Sequence, residues 1–536
     1  MNEFVNPTVE YFELSPLLVV FAAACLGVVV EAFVPRARRH LVQVVLTLLS
    51  LAVALALVVV VALEFSGGDS DAVHGDGAAY GVVAAVGSVV VDGPTLFIWG
   101  LVLVLALLGA ALFAERRLEA GVSAFSGQAS AAPGSEAERV SGVERWEHTE
   151  VFPLLLFAVL GMLLFPAAND LLVLFVALEI LSLPLYLLAG LARRRRLLSQ
   201  EAALKYFLLG AFASAFLLYG AALLYGYAGS MEFGEIAEAV RNRTDGEGLL
   251  LVAVGMLAVG LFFKVGAAPF HAWSPDVYQG SPTPLTAFMA AATKVAAFGA
   301  ILRLFYVALG DDRTSWLPVM WVVAILSMVI GTVLAVGQSD VKRLLAYSSV
   351  AHAGFILTGV LGVQSQSELA IGELSSVEAV LFYLTTYGLM TLGAFAVVSL
   401  VRDAGGETTQ LSRWAGLGKE SPLVAGAFAF FLLAMAGIPL TSGFVGKWAV
   451  FSVALAAGAW PVVLLAVLMS VVAAWIYLKV IVLMYFRQPD GDAPVVAAPS
   501  AFTATAIAVT LVATLVLGVL PDPLLDLVAS AGEFIR

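Results

Sequence analysis

Four ionisable side chains, at Glu179, Lys264, Lys294 and Lys447, lie deep inside long, mostly apolar stretches of the chain. A charged group at the centre of a bilayer costs roughly 2.5–3.5 kcal/mol on insertion scales, and such groups usually mark a pathway for ions or protons. Burial lowers the pKa of a lysine and a nearby carboxylate raises it again, so making or breaking their contact can load or release a proton. The pattern predicts proton or ion handling inside a membrane.

Lys264 and Lys447 each lie beside a predicted interruption of a membrane helix. The helix-breaking residues are Gly266, Pro269, Gly437, Pro439 and Gly443. Pro and Gly leave backbone groups unpaired, and such groups are tolerated at membrane depth only where they are buried in protein or line a hydrated cavity. A structural ion pair is the alternative for both lysines, but a position beside a break favours proton or ion handling.

The other cations differ in how far they lie from the ends of their apolar stretches. This distance decides whether the side chain can reach an interface. Lys294 lies near the midpoint, too deep for its side chain to snorkel to either interface, so a functional role is favoured. Lys205 is nearer to an end, where snorkelling and a role in proton transfer are both open interpretations. Arg303 and Lys479 lie near the ends of their stretches and are predicted to snorkel.

Glu179 and His352 complete the set of candidate relay residues. Glu179 is the natural counter-charge for a buried lysine, and a switching pair would also be a structural salt bridge. His352 lies in the middle of its apolar stretch, and an unperturbed histidine titrates near neutral pH, which suits proton transfer. A hydrogen-bonded core histidine is the alternative.

The bulk composition indicates a polytopic membrane protein. The chain has 536 residues, of which 61% are hydrophobic and 12% charged, with a mean hydropathy of +0.99. Soluble globular domains carry about 25% charged residues. Apolar windows long enough to cross a hydrocarbon core of about 30 Å predict an all-α fold of about 14 transmembrane helices. The apolar interval 421–459 is too long for one ordinary helix, so a count of fifteen stays open.

Two similar blocks follow an N-terminal segment. Residues 1–115 hold three predicted helices, and 116–149 form a predicted cytoplasmic loop, rich in Ala, Ser and Glu, that is expected to be flexible. The ranges 150–309 and 316–486 each hold five predicted spans, and a last span covers 498–522. Because five is odd, the second block must be inverted relative to the first, as in many transporters. The interrupted spans are predicted helices 7 and 12.

Charge patterning predicts the topology. No Lys or Arg precedes the first apolar run, whereas Arg36, Arg38 and Arg39 follow it. Since basic residues concentrate in cytoplasmic loops, both termini of a fourteen-span chain are predicted on the periplasmic or extracellular side of the cell membrane. The net charge of −12 comes mostly from loop carboxylates. Without a basic patch interleaved with aromatic residues, a nucleic-acid partner is not expected.

The inventory of redox and metal ligands is small. One cysteine and five histidines cannot ligate an iron–sulfur cluster, and only His352 lies mid-span where a membrane haem would need two facing histidines. The sequence also contains no phosphate-binding G-x-x-x-x-G-K-[ST] loop. We therefore expect this chain to bind no cofactor, and the energy for transport to come from an ion gradient or from a partner.

Three long motifs resemble the antiporter-like membrane subunits of respiratory complex I, the proton-pumping NADH:quinone oxidoreductase. They read FFKVGAAPFHAWSPDVYQGSPTP at 262–284, YSSVAH at 347–352 and AGIPLTSGFVGK at 436–447. The resemblance extends over about 150–486, while the first three spans and the last one agree in number only. The first motif and the run EAALKYF at 201–207 are similar to the subunit N branch of the family.

The resemblance implies a role for each candidate residue. It implies two inverted five-helix repeats around a hydrated polar axis, in which Glu179 pairs with Lys264. Lys294 would be the central relay and Lys447 the terminal site that faces the exit. The remaining two residues would be intermediate relays: Lys205 and His352.

The predicted function is that of a non-redox, proton-translocating subunit, coupled to quinone reduction in neighbouring subunits. NADH, flavin, iron–sulfur clusters and quinone are expected in those partners, which would form a hetero-oligomer with this chain in the lipid bilayer. One alternative is a subunit of a multi-subunit cation/proton antiporter that shares the same core. The other is a structural membrane spacer with inert ion pairs.

Overall fold

The structure is a computed structural model that describes residues 9–66, 73–74, 80–128, 130–131, 134–144, 146–243, 246–362, 374–403, 406–489 and 494–535. Within these ranges the chain is almost entirely helical. The α-helices are α1 (Ser15–Phe33), α2 (Arg36–Ser66), α3 (Gly93–Phe113), α4 (Glu136–Val143), α5 (Val151–Ala167), α6 (Leu171–Ala189), α7 (Arg196–Ala228), α8 (Phe233–Asn242), α9 (Glu247–Val265), α10 (Trp273–Gly280), α11 (Thr283–Phe288), α12 (Lys294–Arg303), α13 (Arg313–Val336), α14 (Val341–Val360), α15 (Ser376–Val398), α16 (Leu417–Glu420), α17 (Pro422–Ala436), α18 (Ser442–Ala456), α19 (Trp460–Phe486), α20 (Ala501–Val519) and α21 (Asp522–Ser530).

The strands are short and lie between helices. They are β1 (Val73–His74), β2 (Tyr80–Ala84), β3 (Val89–Asp92), β4 (Val401–Asp403), β5 (Gly406–Glu407) and β6 (Val495–Val496). They form two small antiparallel sheets in the orders β1-β2-β3 and β5-β4-β6. Short 3₁₀ turns cover Gly310–Asp312 and Leu411–Trp414.

Among the described residues, eleven helical segments are long and apolar enough to cross a membrane, and α5, α17 and α18 are shorter apolar helices. The predicted all-α, polytopic fold is confirmed. Helix α14 covers another predicted span but is outside the eleven, and Lys342, Arg343 and His352 contribute to its polarity. The count of about 14 and the inverted relation of the two blocks stay predictions.

Two segments form the centre of the bundle. Helix α15 and the segment Thr283–Ala308 have apolar windows that are completely buried in the protein. In the latter, a π-helical turn at Met289–Thr293 joins α11 to α12, and a second one at Leu304–Ala308 follows α12. A helix that is apolar all round lies either in the core of a large protein or across a membrane, and these two segments lie in the core of the bundle. Polar side chains on these segments therefore face protein and not lipid.

Both predicted helix breaks are present and end in the same cap. Helix α9 stops at Gly266, whose φ is +69°, and α17 stops at Gly437, whose φ is +81°. In each case the glycine N–H donates to the carbonyl three residues back, and the next N–H donates to the carbonyl five residues back. This is the Schellman arrangement, which needs a left-handed residue that only glycine adopts at no steric cost.

The second break also depends on a close backbone approach. A Cβ atom on Gly443, in the first turn of α18, would lie 1.9 Å from the carbonyl oxygen of Ala434. Pro439 lies in the connection between α17 and α18, as Pro269 lies between α9 and α10. In both places a second helix, α10 or α18, begins a few residues after the break.

The loop at 116–149 contacts the arginine run that precedes α7. Arg193 donates to the carbonyl oxygens of Ser123 and Trp146, each at 2.8 Å. Arg194 forms an ion pair with Glu119 at 2.8 Å. These contacts tie the described part of the loop to the end of α6, while its predicted flexibility stays a prediction.

The prediction that Arg303 snorkels to an interface is wrong. Its side chain is 1% exposed, and Nη2 forms an ion pair of 2.7 Å with Asp92, which is fully buried. Nε donates to the carbonyl oxygen of Pro166 at 2.6 Å. The other oxygen of Asp92 accepts from the N–H of Ile535 at 3.1 Å. The pair thus joins α12, the end of β3 and the C-terminal residues, which sequence spacing alone did not connect.

Candidate functional site

The first candidate amine, Lys264, is buried in the last turn of α9. Its residue exposure is 3%, and Nζ donates to the hydroxyl of Ser182 at 2.8 Å. A longer hydrogen bond of 3.4 Å runs to the hydroxyl of Tyr206. Ser182 in turn donates to the carbonyl oxygen of Leu178 at 2.5 Å. The ammonium is therefore held by neutral hydroxyl groups on α6 and α7.

Glu179 lies one turn before Ser182 on α6, so the two side chains share a helix face. No ion pair joins Glu179 to Lys264 among the ion pairs of the described residues. Glu179 Oε1 is buried and has no hydrogen-bond partner among the protein atoms. The structure brings the two residues to the same pocket but does not show the direct pair that the resemblance implied.

Aromatic rings line the pocket around Lys264. Tyr206 stacks on Trp273 at a centroid distance of 4.6 Å and an interplanar angle of 6°. Trp273 is the first residue of α10, and its indole nitrogen donates to the carbonyl oxygen of Phe263 at 3.0 Å. Trp273 also meets Tyr278 edge to face at 6.2 Å. The helix break thus places a rigid aromatic wall beside Lys264.

The second amine, Lys294, is the first residue of α12 and is 3% exposed. Nζ donates to the hydroxyl of Ser349 at 2.7 Å and to the carbonyl oxygen of the same residue at 2.5 Å. The Ser349 and Tyr387 hydroxyls are 2.7 Å apart, and Tyr387 donates to the carbonyl oxygen of Ala290 at 3.2 Å. Lys294 therefore begins a short chain of hydroxyl groups across α14 and α15.

His352 continues this arrangement along α14. It is 1% exposed, and Nδ1 lies 2.8 Å from the hydroxyl of Tyr383 on α15. Its ring centroid is 5.3 Å from that of Tyr387. Ser349 and His352 are three residues apart on one helix, and Tyr383 and Tyr387 are four apart on the other, so the groups face each other in register.

The third amine, Lys447, reaches from α18 back to the helix break. It is 5% exposed, and Nζ donates to the carbonyl oxygen of Ala436, the last residue of α17, at 3.0 Å. The ammonium also lies 4.7 Å from the ring centroid of Phe355, one turn beyond His352 on α14. The C-terminal end of a helix carries a partial negative charge on its free carbonyl groups, which favours a cation there.

A cleft of about 500 Å³ opens beside Lys447 between α18 and α19. Its lining is mostly apolar and includes Gly437, Trp448 and Ser470. Ser470 Oγ is buried without a hydrogen-bond partner among the protein atoms. Lys447 therefore lies at the boundary between the buried row of polar groups and the outer surface of the bundle.

Lys205 does not join the buried amines. Its side chain is 40% exposed and forms ion pairs with Glu201 at 2.7 Å and with Asp276 at 2.6 Å. Asp276 also pairs with Arg343 at 2.5 Å. This network links α7, α10 and α14, and it agrees with the snorkelling interpretation of Lys205 better than with a place in the row of buried amines.

The buried groups form two clusters. Lys264 belongs to the first, while Lys294, His352 and Lys447 follow α14 in the second. No direct side-chain hydrogen bond joins Lys264 to Lys294 in the described ranges. In the same ranges, no group of three or more His, Cys, Asp or Glu residues is arranged to hold a metal ion.

Sequence reasoning missed the hydroxyl partners and one buried lysine. The missed partners of the amines and of His352 are Ser182, Tyr206, Ser349, Tyr383 and Tyr387. Hydroxyl residues within apolar helices were a usable signal, because a buried hydroxyl is normally hydrogen-bonded. The lysine is Lys342, in the first turn of α14, which is 2% exposed and donates to the carbonyl oxygen of Ser281 at 2.7 Å.

Comparison with known proteins identifies the family. Residues 168–473 match the family model described as NADH:quinone oxidoreductase/Mrp antiporter, TM. The chain is 64% identical over 538 residues to NADH-quinone oxidoreductase subunit N of a Nocardioides species, and the alignment covers 100% of both chains. It is 57% identical over 549 residues to subunit N of Rhodococcus opacus, with 99% of this chain and 97% of the relative covered.

Solved structures agree with this assignment. A chain of respiratory complex I from Thermus thermophilus superposes with a TM-score of 0.74 at 34% identity, over 97% of this chain and 100% of that one. A chain of the Mrp complex from a Dietzia species superposes with a TM-score of 0.77 at 24% identity, over 97% and 96%, which supports the fold alone. The resemblance predicted from the motifs is confirmed, and the chain belongs to the NADH:quinone oxidoreductase/Mrp antiporter membrane family, in which it resembles subunit N.

Proposed function

We propose that this chain is the proton-translocating subunit N of an NADH:quinone oxidoreductase. In this proposal protons move through Glu179, Lys264, Lys294, His352 and Lys447. The observation that carries it is the burial of three lysine amines, at 3%, 3% and 5% exposure, each of which donates to neutral oxygen atoms and none of which bonds to a carboxylate of the described residues. A buried amine that bonds only to neutral oxygen atoms has no permanent counter-charge, so its charged form is costly. We therefore expect each amine to gain and lose a proton during transport.

The hydroxyl partners suit proton transfer. Serine and tyrosine hydroxyls both donate and accept hydrogen bonds, and a histidine ring can accept a proton on one nitrogen while it donates from the other. The pairs Lys294–Ser349 and His352–Tyr383 place such groups within 2.7 Å and 2.8 Å of each other. In the first cluster, Glu179 is the group whose approach would stabilise the charged form of Lys264.

The partners and the redox chemistry follow from the proposed assignment. The relatives are named as subunits of NADH-quinone oxidoreductase, and the Thermus thermophilus neighbour is a chain of respiratory complex I. We infer that this chain assembles with other membrane subunits of such a complex in the cell membrane, with its termini on the periplasmic or extracellular side. NADH, flavin, iron–sulfur clusters and quinone then belong to those partners, and quinone reduction there drives proton movement here.

The proposed domain division also gains support. The two breaks, at Gly266 and Gly437, share a cap and precede a second half-helix in the same way. This likeness supports two related five-helix blocks over 150–309 and 316–486, after three N-terminal helices in 1–115 and before the last span at 498–522.

A second candidate function is that of a subunit of a cation/proton antiporter. The description of the matching family model also names the Mrp antiporter, whereas the relatives at 64% and 57% identity are named as oxidoreductase subunits. Mass spectrometry of the detergent-extracted assembly separates the two. Co-purified iron–sulfur subunits are expected, and an assembly made only of antiporter subunits would favour the alternative.

The relay itself is tested by the substitution Lys294→Ala in the assembled complex. We expect NADH oxidation by an artificial electron acceptor to stay unchanged, because the redox centres lie in other subunits. Proton uptake into inverted membrane vesicles driven by NADH should be largely lost. Lys419→Ala, which removes an exposed lysine, is the matched control. Unchanged proton uptake in the Lys294→Ala variant would support a structural spacer instead.

A further inference from the structure

A groove of about 470 Å³ lies on the outer surface of the bundle, away from the buried amines. It is formed by the end of α13, the start of α14, the 3₁₀ turn at 411–414 and the last turns of α19. Its walls are mostly apolar and include Val336, Leu344, Val480 and Leu483. No step of the proposed proton relay uses these residues.

Two cations line this groove, and none of the described residues in its lining is acidic. Lys479 and Arg487 both belong to its wall. Neither residue forms an ion pair within the described part of the chain. The Lys479 ammonium lies 5.7 Å from the ring centroid of Trp475, which also lines the groove. Within the described residues, the groove therefore presents two positive charges that form no ion pair.

The surroundings of the groove are those of a lipid-facing surface. Only 28% of the apolar window of α19 is buried in the protein. Trp475 and Leu478 beside the groove are 54% and 46% exposed. Tryptophan is enriched where membrane helices meet the headgroup region. An unpaired lysine on such a surface is costly unless an anion accompanies it.

We propose that this groove binds an anionic phospholipid, with its phosphate near Lys479 and Arg487 and an acyl chain along the apolar wall. The two cations are eight residues apart, about 12 Å along the helix, and their long side chains can converge on one headgroup. The hydroxyl groups of Ser339 and Ser412 also line the groove and supply donors for phosphate oxygens. Basic pockets between transmembrane helices are known to favour anionic headgroups.

A helix from a neighbouring membrane subunit is the competing occupant. Such a helix would have to bring a carboxylate to the two cations, whereas a phospholipid supplies both the negative charge and the apolar chain. Charge complementarity therefore favours the lipid. A photo-crosslinking side chain placed in the groove would react with a phospholipid in the first case and with a protein subunit in the second.

The first test removes the charges in the assembled complex. The double variant Lys479→Gln/Arg487→Gln is purified in detergent beside the control Arg38→Gln/Lys419→Gln, which loses the same charge at exposed sites outside the groove. Phosphatidylglycerol and cardiolipin retained per complex are then quantified by mass spectrometry. We expect the groove variant to lose at least one retained anionic phospholipid that the control keeps. Equal retention in both variants would overturn the proposal.

The second test does not depend on removing charge. Leu478 is replaced by the photo-crosslinking residue benzoylphenylalanine in the otherwise unchanged complex, reconstituted in vesicles of phosphatidylglycerol and phosphatidylcholine. A crosslink mainly to phosphatidylglycerol supports the proposal. A crosslink mainly to another subunit, or one that follows the mixing ratio of the two lipids, contradicts it. This variant keeps the result decisive even if the double variant fails to assemble.

Discussion

Lys264 donates its hydrogen bond of 2.8 Å to the hydroxyl of Ser182, one helical turn from the carboxylate of Glu179. Helix α6 thus offers the amine two neighbouring acceptors, one neutral and one that carries charge. The structure has the amine on the neutral acceptor, while Glu179 Oε1 is buried without a hydrogen-bond partner among the protein atoms. If the Lys264 amine moved by about one helical turn along α6, it would exchange the Ser182 hydroxyl for the Glu179 carboxylate. Such an exchange is the electrostatic step that a proton relay needs.

The variant Ser182→Ala should shift this balance. Loss of the hydroxyl removes the acceptor that holds Lys264, so the amine is expected to favour Glu179 and to release its proton less readily. A membrane-buried hydrogen bond contributes about 0.6 kcal/mol on average, so NADH-driven proton uptake should fall about threefold without loss of assembly. Ser214→Ala is the control, because that hydroxyl bonds only within its own helix, to Ala211. An effect of equal size in the control would remove the basis of this prediction.

Glu179 and Lys264 should be energetically coupled although they form no direct pair in the structure. Glu179→Gln and Lys264→Ala are each expected to lower proton uptake strongly, and the double variant should be little worse than either single one. Interacting residues typically show coupling of about 0.5–3 kcal/mol in such cycles. The coupling energy is obtained from the proton uptake rates of the unaltered complex, the two single variants and the double variant in inverted vesicles. Strictly additive losses would mean that the two groups act independently.

Tyr387 should carry part of the relay in the second cluster. Its hydroxyl joins Ser349 to the carbonyl oxygen of Ala290, next to Lys294. Tyr387→Phe keeps the ring that packs beside His352 but removes the proton-bearing group, so proton uptake is expected to fall by at least about tenfold.

Tyr306→Phe is the matched control for Tyr387→Phe. The Tyr306 hydroxyl is equally buried and hydrogen-bonded, to Ser376 and to the carbonyl oxygen of Val360, but it touches none of the buried amines. The control should leave uptake near that of the unaltered complex. Equal losses in both variants would indicate a packing defect and not a proton path.

The sequence predicted the buried amines and the helix breaks because both have local signals. A lysine in the middle of an apolar run and a Gly–Pro interruption are visible in a window of about 20 residues, the length of one membrane span. The partners of the amines have no such signal. Ser182 and Ser349 are ordinary hydroxyl residues until tertiary packing brings them to within 2.8 Å and 2.7 Å of a lysine 82 and 55 positions away.

The distance of a cation from the end of its apolar stretch gave a wrong prediction for Arg303, where tertiary structure supplies a partner. That distance measures access to an interface only for a lipid-facing helix. Arg303 belongs to a segment that is buried on all sides, and its guanidinium forms an ion pair with Asp92, which is distant in the sequence. Lys205 has acidic neighbours on α7 and α10, so its charge is satisfied near the surface.

Lys205→Ala should therefore have a smaller effect on transport than Lys264→Ala. Exposed ion pairs contribute only about 0–1 kcal/mol, and the remaining Asp276–Arg343 pair preserves the link between α10 and α14. We expect proton uptake above half of the unaltered level for Lys205→Ala, against near-complete loss for Lys264→Ala, at equal amounts of assembled complex. Losses of similar size in the two variants would indicate that Lys205 also takes part in proton transfer.

The buried pair of Arg303 and Asp92 should hold the C-terminal residues in place. Arg303→Gln leaves Asp92 as an uncompensated buried charge, and breaking such a pair typically costs about 3–5 kcal/mol. The N–H of Ile535 also depends on Asp92, and the Phe534 ring lies 4.8 Å from the guanidinium, so the end of the chain is expected to become accessible to carboxypeptidase.

The double variant Arg303→Gln/Asp92→Asn tests whether charge is the reason. It removes both charges and keeps side chains that can hydrogen-bond to each other, so thermal stability and protease resistance should recover in part relative to Arg303→Gln alone. The midpoint of thermal unfolding in detergent and the rate of C-terminal digestion give the two readouts. A double variant that is less stable than Arg303→Gln would mean that the Asp92 carboxylate stabilises the fold even without the guanidinium, through its hydrogen bonds from the N–H groups of Thr95 and Ile535.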